Sequence, residues 1–351
     1  MLVTLAQISL GSSAGLSMGW AINVKLFNSI YYLGLGRLVT FSAILTIFDS
    51  FPYQRSSPAK TRSSHICYRR AGTLKTFSMK CKKFLSIPVL AVFLLMGFVY
   101  YITVFVFIED WVGLQSSAGS LNALIFTFMA SLCVFSFFVC VVTDPGHVPS
   151  SYAPDVEGTG GSDQESDKNG EQLKQCDKCH AFKPPRAHHC RVCGRCVLRM
   201  DHHCIWINNC VGFWNYKAFF TLVLYATIGS IYSTVMLISC AFQMDFTGRL
   251  ALKVFYIFCG APTVALSSTL ATLLGWHVYL ITHNMTTIEY YEGTRAAWLA
   301  RKSGLNYRHP FDVSAYKNIT SVLGSNMLKW FCPTAVSHLR DGINFPTSHD
   351  S

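Results

Sequence analysis

The sequence predicts an all-α integral membrane protein: four transmembrane helices with a cytosolic, cysteine-rich domain between the second and third. Three observations predict it. Four uninterrupted apolar runs each reach the roughly 20 residues that a bilayer crossing needs. Basic residues crowd the segments at one end of those runs and are missing from the short loop at the other. Seven of fourteen cysteines and five of twelve histidines fall between Cys176 and Cys210, too dense for a chain segment of ordinary composition. Hydrophobic residues make up 51% of the chain and charged residues only 13%.

Residues 1–83 form an N-terminal region to which no element is assigned. The apolar stretch Phe27–Phe48 is broken by Gly34, Gly36 and Arg37, and a charge at the centre of a span costs about 2.5–3.5 kcal/mol on insertion scales, so a fifth span is disfavoured. Met1–Val24 carries no basic leader or clear cleavage site, which argues against a secretory signal. The segment before Met79-Lys80 has no resolved pattern, and that dipeptide is a candidate start of a shorter form. Residues 84–142 hold the first two spans, Phe84–Ile108 and Leu121–Val142. Residues 143–175 are a cytosolic linker, in which Val156–Gly170 is Gly-, Ser- and acid-rich without an apolar period and reads as flexible. The cysteine-rich domain follows at 176–217, then the third and fourth spans within 218–281, Ala218–Phe242 and Val254–Ile281. Residues 282–351 are a cytosolic tail. None of the four runs contains Lys, Arg, Asp or Glu, and helices apolar on every face are rare in soluble domains.

Orientation follows from basic residues in short loops, which stay on the cytosolic side. Nine Lys or Arg and no acid lie between Arg55 and Lys83, none between Glu109 and Ser120, and many in Thr143–Lys217 and after Ile281. Both termini and the cysteine-rich domain are therefore expected in the cytosol. Thiols there stay reduced, so the cysteines read as metal ligands and nucleophile, not disulfides. The sequons at Asn284 and Asn318 lie on the wrong side for glycosylation. The net charge of +11 raises nucleic-acid binding as a rival, but four spans argue against it and loops facing anionic lipid account for the excess.

Within the cysteine-rich domain, Cys176/Cys179 and Cys190/Cys193 have the Cys-x-x-Cys spacing that aims two thiolates at one ion. One assignment completes a first zinc site with His189 and Cys196, and a second with His203 and Cys210. Spacing alone does not separate His188 from His189. Each site is closed by four protein ligands and is therefore structural, since catalytic zinc keeps an open position. Cys204 is left over. In Asp201-His202-His203-Cys204 it can act as nucleophile, with His202 as its base and Asp201 orienting the imidazole. His180 and His188 read as hydrogen-bonded or solvated histidines outside both sites.

The run PPRAHHCRVCGRCVLRMDHHCIWINNCVG, with Asp144-Pro145-Gly146 after the second span and Thr286-Thr287-Ile288-Glu289 after the fourth, resembles the DHHC family of protein S-acyltransferases, or palmitoyltransferases. Asn318 to Pro333 is similar to that family's C-terminal element, and the resemblance begins at about Lys80. It favours His189 over His188 as ligand. It implies two-step transfer of a long-chain acyl group, mainly palmitoyl, from acyl-CoA to Cys204 and then to a cysteine of a membrane-associated protein substrate, with membrane lipids as the setting and endomembrane, Golgi or ER, as the favoured location. Asp144, Thr287 and Asn318 are expected to support the centre. Lys183, Arg186 and Arg191 are candidates for the CoA phosphates by charge and position. A membrane adaptor without turnover, using the zinc module to bind partners, is the alternative from another class. Cys133, Cys140, Cys240 and Cys259 lie in spans and read as packing residues; Cys67, Cys81 and Cys332 lie near the membrane surface as candidate acylation sites.

Overall fold

The computed structural model describes residues 86–149, 152–154 and 174–348. The stretch Phe27–Phe48, the start at Met79, the cysteines Cys67 and Cys81 and the linker Val156–Gly170 lie outside the described residues. Among the described residues, four helices are long and apolar enough to cross a membrane: α1 Ile87–Val112, α2 Ser117–Val142, α3 Tyr216–Gln243 and α4 Leu250–Thr282. Each differs from its apolar run by a few residues, because hydropathy marks the oily middle while hydrogen bonding sets the ends. Glu109 and Asp110 continue α1 past the run. Ser116 starts α2 by accepting the Gly119 amide, and Pro88 sits in the first turn of α1, where no amide donor is required.

The third helix is the axis of the bundle, packing along both α2 and α4. Its inward face buries Phe219, Leu222, Val223, Tyr225 and Met236, and Gly260 of α4 brings a backbone so close to Leu237 that an added Cβ would stand 2.8 Å from its Cδ2. Small and hydroxylated residues supply the directional contacts that lipid-embedded helices otherwise lack: Thr103 Oγ1 lies 2.7 Å from Ser233 Oγ, tying α1 to α3. Thr103 also opens a π-helical stretch, Thr103–Ile108. Leu94, Leu124, Phe128, Ile257 and Phe258 point outward, as a lipid-facing surface requires.

The cysteine-rich segment departs from all-α structure. It forms three antiparallel two-stranded hairpins: β1 Gln175–Cys176 with β2 Ala181–Phe182, β3 His188–Cys190 with β4 Arg195–Val197, and β5 His202–Cys204 with β6 Asn209–Val211. Register places His189 opposite Cys196 and His203 opposite Cys210, so the second and third hairpins each present a histidine and a cysteine together. This module is bolted to the end of α2. Asn209 Nδ2 donates to the carbonyls of Cys140 and Thr143 at 3.1 and 2.9 Å, which the helix end leaves unpaired. Gly146, at φ +102°, accepts from the Leu198 amide; an added Cβ there would meet Trp214 Cδ1 at 2.9 Å.

The tail returns across the same end of the bundle as α5 Thr287–Lys302 and α6 Ala315–Leu323. Thr286 and Glu289 form a reciprocal capping box that starts α5 directly after α4, satisfying two orphan amides at once. Lys217, buried at the foot of α3, donates to the carbonyls of Leu323 and Ala335, both at 2.8 Å.

Candidate active site and metal centres

Two sets of four residues each bring their ligand atoms within 4.8 Å of one another inside the set: Cys176, Cys179, His189 and Cys196, and Cys190, Cys193, His203 and Cys210. In the first, His189 Nδ1 stands 3.5, 3.3 and 3.8 Å from the sulfurs of Cys176, Cys179 and Cys196. In the second, His203 Nδ1 lies 3.6, 3.5 and 3.5 Å from those of Cys190, Cys193 and Cys210. A tetrahedral zinc with bonds of about 2.3 Å to sulfur and 2.0–2.1 Å to nitrogen requires edges of about 3.5–3.8 Å. The donor sets fit the ion, and the choice of His189 over His188 agrees with this geometry.

Between the β3–β4 and β5–β6 hairpins, Asp201 is fully buried. Its Oδ2 meets His202 Nδ1 at 2.7 Å, and Thr287 donates twice, amide to Oδ1 and hydroxyl to Oδ2, both at 2.9 Å. Burial opposes ionisation of Asp201, but His202, His277 and the Thr287 amide outweigh it and hold the carboxyl at about 2. Burial likewise disfavours the charged imidazole, yet Asp201 and the Cys204 thiol raise His202 to about 10. With Nδ1 committed to Asp201, Nε2 is the nitrogen left to exchange a proton. Cys204 ends β5, buried against the membrane core cluster that contains Cys140, Ile207 and Phe219. The His202 ring packs edge-on against Phe219, centroids 5.2 Å apart, and Phe219 against His277 at 5.0 Å. His277, the one histidine of α4, is itself held by Tyr216 Oη at 3.0 Å.

A second buried charge network joins module to tail and corrects one expectation. Arg186 does not face solvent: it pairs with both oxygens of Glu289 at 2.6 and 2.7 Å, donates to Asn284 Oδ1 and carbonyl, and lies between the rings of Phe311 and Phe345. With its side chain 1% exposed, it has no donor to offer a CoA phosphate. Arg191 is exposed and Lys183 half-buried. Burial opposes ionisation of Glu289, but Arg186 and then Arg199 draw it down to about 2.

Of the other supporting residues, Thr287 touches the centre and two act at a distance. Asp144 pairs with Arg195 at 2.8 Å and caps the Gly146 amide, bracing the first metal hairpin. Asn318 Nδ2 donates to the Thr282 carbonyl at 2.8 Å, fastening α6 to the end of α4. Asn284 and Asn318 are both buried, which by itself closes the two sequons to a glycan. Cys332 is exposed, whereas Cys133, Cys140, Cys240 and Cys259 are buried. Sequence reasoning missed Glu289 as the partner of Arg186, although the Thr-x-x-Glu capping pattern marks it. It also missed the buried role of Lys217, which it counted only among the basic residues of the loop Thr143–Lys217.

Comparison with known proteins agrees with this arrangement. The family model for the DHHC palmitoyltransferase domain matches residues 169–294. The chain is 64% identical over 258 residues to Probable protein S-acyltransferase 15 of Arabidopsis thaliana, covering 73% of this chain and all of that relative. It is 49% identical over 270 residues to Probable protein S-acyltransferase 16 of the same plant, covering 76% and 94%. It is 33% identical over 177 residues to human Palmitoyltransferase ZDHHC2, covering 50% and 46%.

Proposed function

The chain belongs to the DHHC palmitoyltransferase family and is a protein S-acyltransferase, and from that premise we propose that Cys204 carries the acyl group between an acyl-CoA donor and protein cysteines. The observation that supports this most directly is the hydrogen-bonded order Thr287–Asp201–His202 beside the buried Cys204. His202 Nε2 takes the thiol proton, and the thiolate attacks the thioester carbonyl carbon. The carbon–sulfur bond to CoA breaks, and His202 returns the proton to the leaving CoA thiolate. In the second half a substrate cysteine, deprotonated by the same imidazole, attacks the acyl-Cys204 thioester and releases the Cys204 thiol. Asp201 stays ionised throughout, keeping the ring oriented and balancing its charge.

The eight Cys and His ligands would hold two zinc ions. Zinc in such closed sites supplies folding free energy to hairpins too short for a core of their own. The centre faces the cytosol, as the basic loops require; the CoA head group stays in water, with Lys183 and Arg191 as phosphate contacts, while each acyl methylene entering the bundle beside α3 gains about 0.8 kcal/mol. Protein purified in lipid nanodiscs and given labelled palmitoyl-CoA should retain a hydroxylamine-labile label mapping to the Cys204 peptide. A label on any other residue, or none, would overturn the assignment.

A further inference from the structure

Past α6 the tail exposes a short, strongly apolar turn. Leu328 is 88% exposed and Met327 60%, on a 3-10 turn Met327–Lys329, and Phe331 just beyond it is 57% exposed. Water-facing side chains of this size in sequence call for a partner. The same segment is fastened to the membrane bundle: the Phe331 carbonyl accepts from Tyr225 Oη at 2.6 Å, and Trp330 packs against the core cluster of the spans while its Nε1 donates to the Gly324 carbonyl.

That bond to Tyr225 sets a depth. Tyr225 lies nine residues into α3 from Tyr216, or about 13 Å along the helix axis, and some 27 Å short of Gln243 at 1.5 Å per residue. The hydrocarbon layer is about 30 Å thick, so a bilayer whose far boundary lies at Gln243 has its near boundary at Tyr225. The Phe331 carbonyl, bonded to the Tyr225 hydroxyl, lies within the reach of one tyrosine side chain of that level. The surrounding stretch Ala315–Arg340 has Lys317, Lys329 and Arg340 and no Asp or Glu, the charge that an anionic headgroup layer attracts.

We propose that Met327–Phe331 is a membrane-inserted anchor, its apolar side chains seated in the phospholipid leaflet on the metal-module side and its basic neighbours among the headgroups. Aromatic and apolar side chains at a boundary with lysines above them are the pattern of an interfacial anchor. The turn holds α6 and, through it, Asn318 and Lys217 at a fixed height relative to the spans.

The test uses the full-length protein in nanodiscs of phosphatidylcholine and phosphatidylserine containing a phospholipid with a photoreactive diazirine on its acyl chain. After irradiation and proteolysis, peptides spanning Met327–Phe331 should carry lipid adducts at a yield within a few-fold of the peptide bearing the outward-facing Phe128. Leu328→Asp should lower the tail adduct severalfold and leave the Phe128 adduct unchanged. Labelled spans beside an unlabelled tail turn would overturn the proposal. Cross-links from the turn to a second protein copy in place of lipid would do so as well. The wild-type measurement decides even if the variant folds poorly, and neither readout depends on acyl transfer.

Discussion

Thr287 grips both oxygens of Asp201, its amide on Oδ1 and its hydroxyl on Oδ2, each at 2.9 Å. The hydroxyl bond can be removed alone. A hydrogen bond to a charged group contributes about 1.5–3 kcal/mol, and 1.4 kcal/mol is tenfold, so we expect Thr287→Val to reduce acyl transfer by roughly tenfold or more while metal content is unchanged. Thr287→Ser keeps the oxygen and should restore most of the rate. Equal activity in the Val and Ser variants would mean that the hydroxyl plays no part.

Cys204 stands outside both ligand groups. Cys204→Ser should therefore abolish autoacylation and transfer together, with expression and zinc content near those of the wild type. Metal analysis of the purified variant is the check, and zinc loss matching that of a ligand variant would mean that Cys204 had been misassigned.

Substitution of a ligand should give the opposite pattern. Cys193→Ser or His203→Ala leaves three donors in the second group, and we expect loss of about one of two ions and a lower folded yield, because metal binding and folding are one equilibrium in such modules. A variant that keeps both ions at full activity would contradict the ligand set.

Acid should act through Glu289. Its carboxyl is held at about 2 in the folded protein, against about 4.3 in an unfolded chain. A depressed carboxylate stabilises the fold above the unfolded value and loses that contribution as pH falls towards 2. Glu289→Gln should thus be the less stable protein at pH 7, by about 3–5 kcal/mol if Arg186 is left buried and unpaired, and the gap between the two should shrink as pH falls from about 5 to 3. The metal thiolates titrate in both proteins, so the difference in melting temperature isolates the pair. A gap that is constant with pH would remove Glu289 from the acid response.

Chain-length preference can be probed at Gly229 of α3, thirteen residues or about 20 Å from Tyr216, a distance comparable to an extended palmitoyl chain. A Cβ added there meets nothing within 4 Å, so the glycine does not serve close helix packing. Gly229→Phe should disfavour stearoyl and palmitoyl relative to myristoyl transfer in a competition among the three CoA esters. An unchanged product ratio would place the acyl chain elsewhere.

Much of this architecture could be read from the chain because its signals are local. Apolar runs with no charge report spans directly, and the knuckle spacing of Cys176/Cys179 and Cys190/Cys193 reports ligand pairs. Asp201, His202 and Cys204 are neighbours in sequence as they are in space. What stayed hidden depends on contacts between distant segments. Arg186 looked like a surface cation because nothing nearby in sequence reveals that Glu289, 103 residues on, will neutralise it. Asp144 is expected from the sequence to support the centre, but that its partner is Arg195 of the β3–β4 hairpin, 51 residues on, is visible only in the fold. The exposed turn at Leu328 and its tether to Tyr225 emerge only when the tail has been laid back against the third helix.

The stacking of Phe345 on Arg186, 4.8 Å from ring centroid to guanidinium, has a consequence for biosynthesis. The metal module leaves the ribosome early, but the last ring that covers its buried arginine is encoded about 160 residues later. At 5–20 residues per second that interval is roughly ten to thirty seconds, in which two more helices must enter the bilayer while the module waits with a cation and a hairpin face uncovered. Premature termination anywhere before Phe345 would leave it waiting permanently. The cover over this buried arginine is therefore completed only when Phe345 has been made, and a nascent chain halted just before it has every catalytic group in place while Arg186 has one covering ring, Phe311, instead of two.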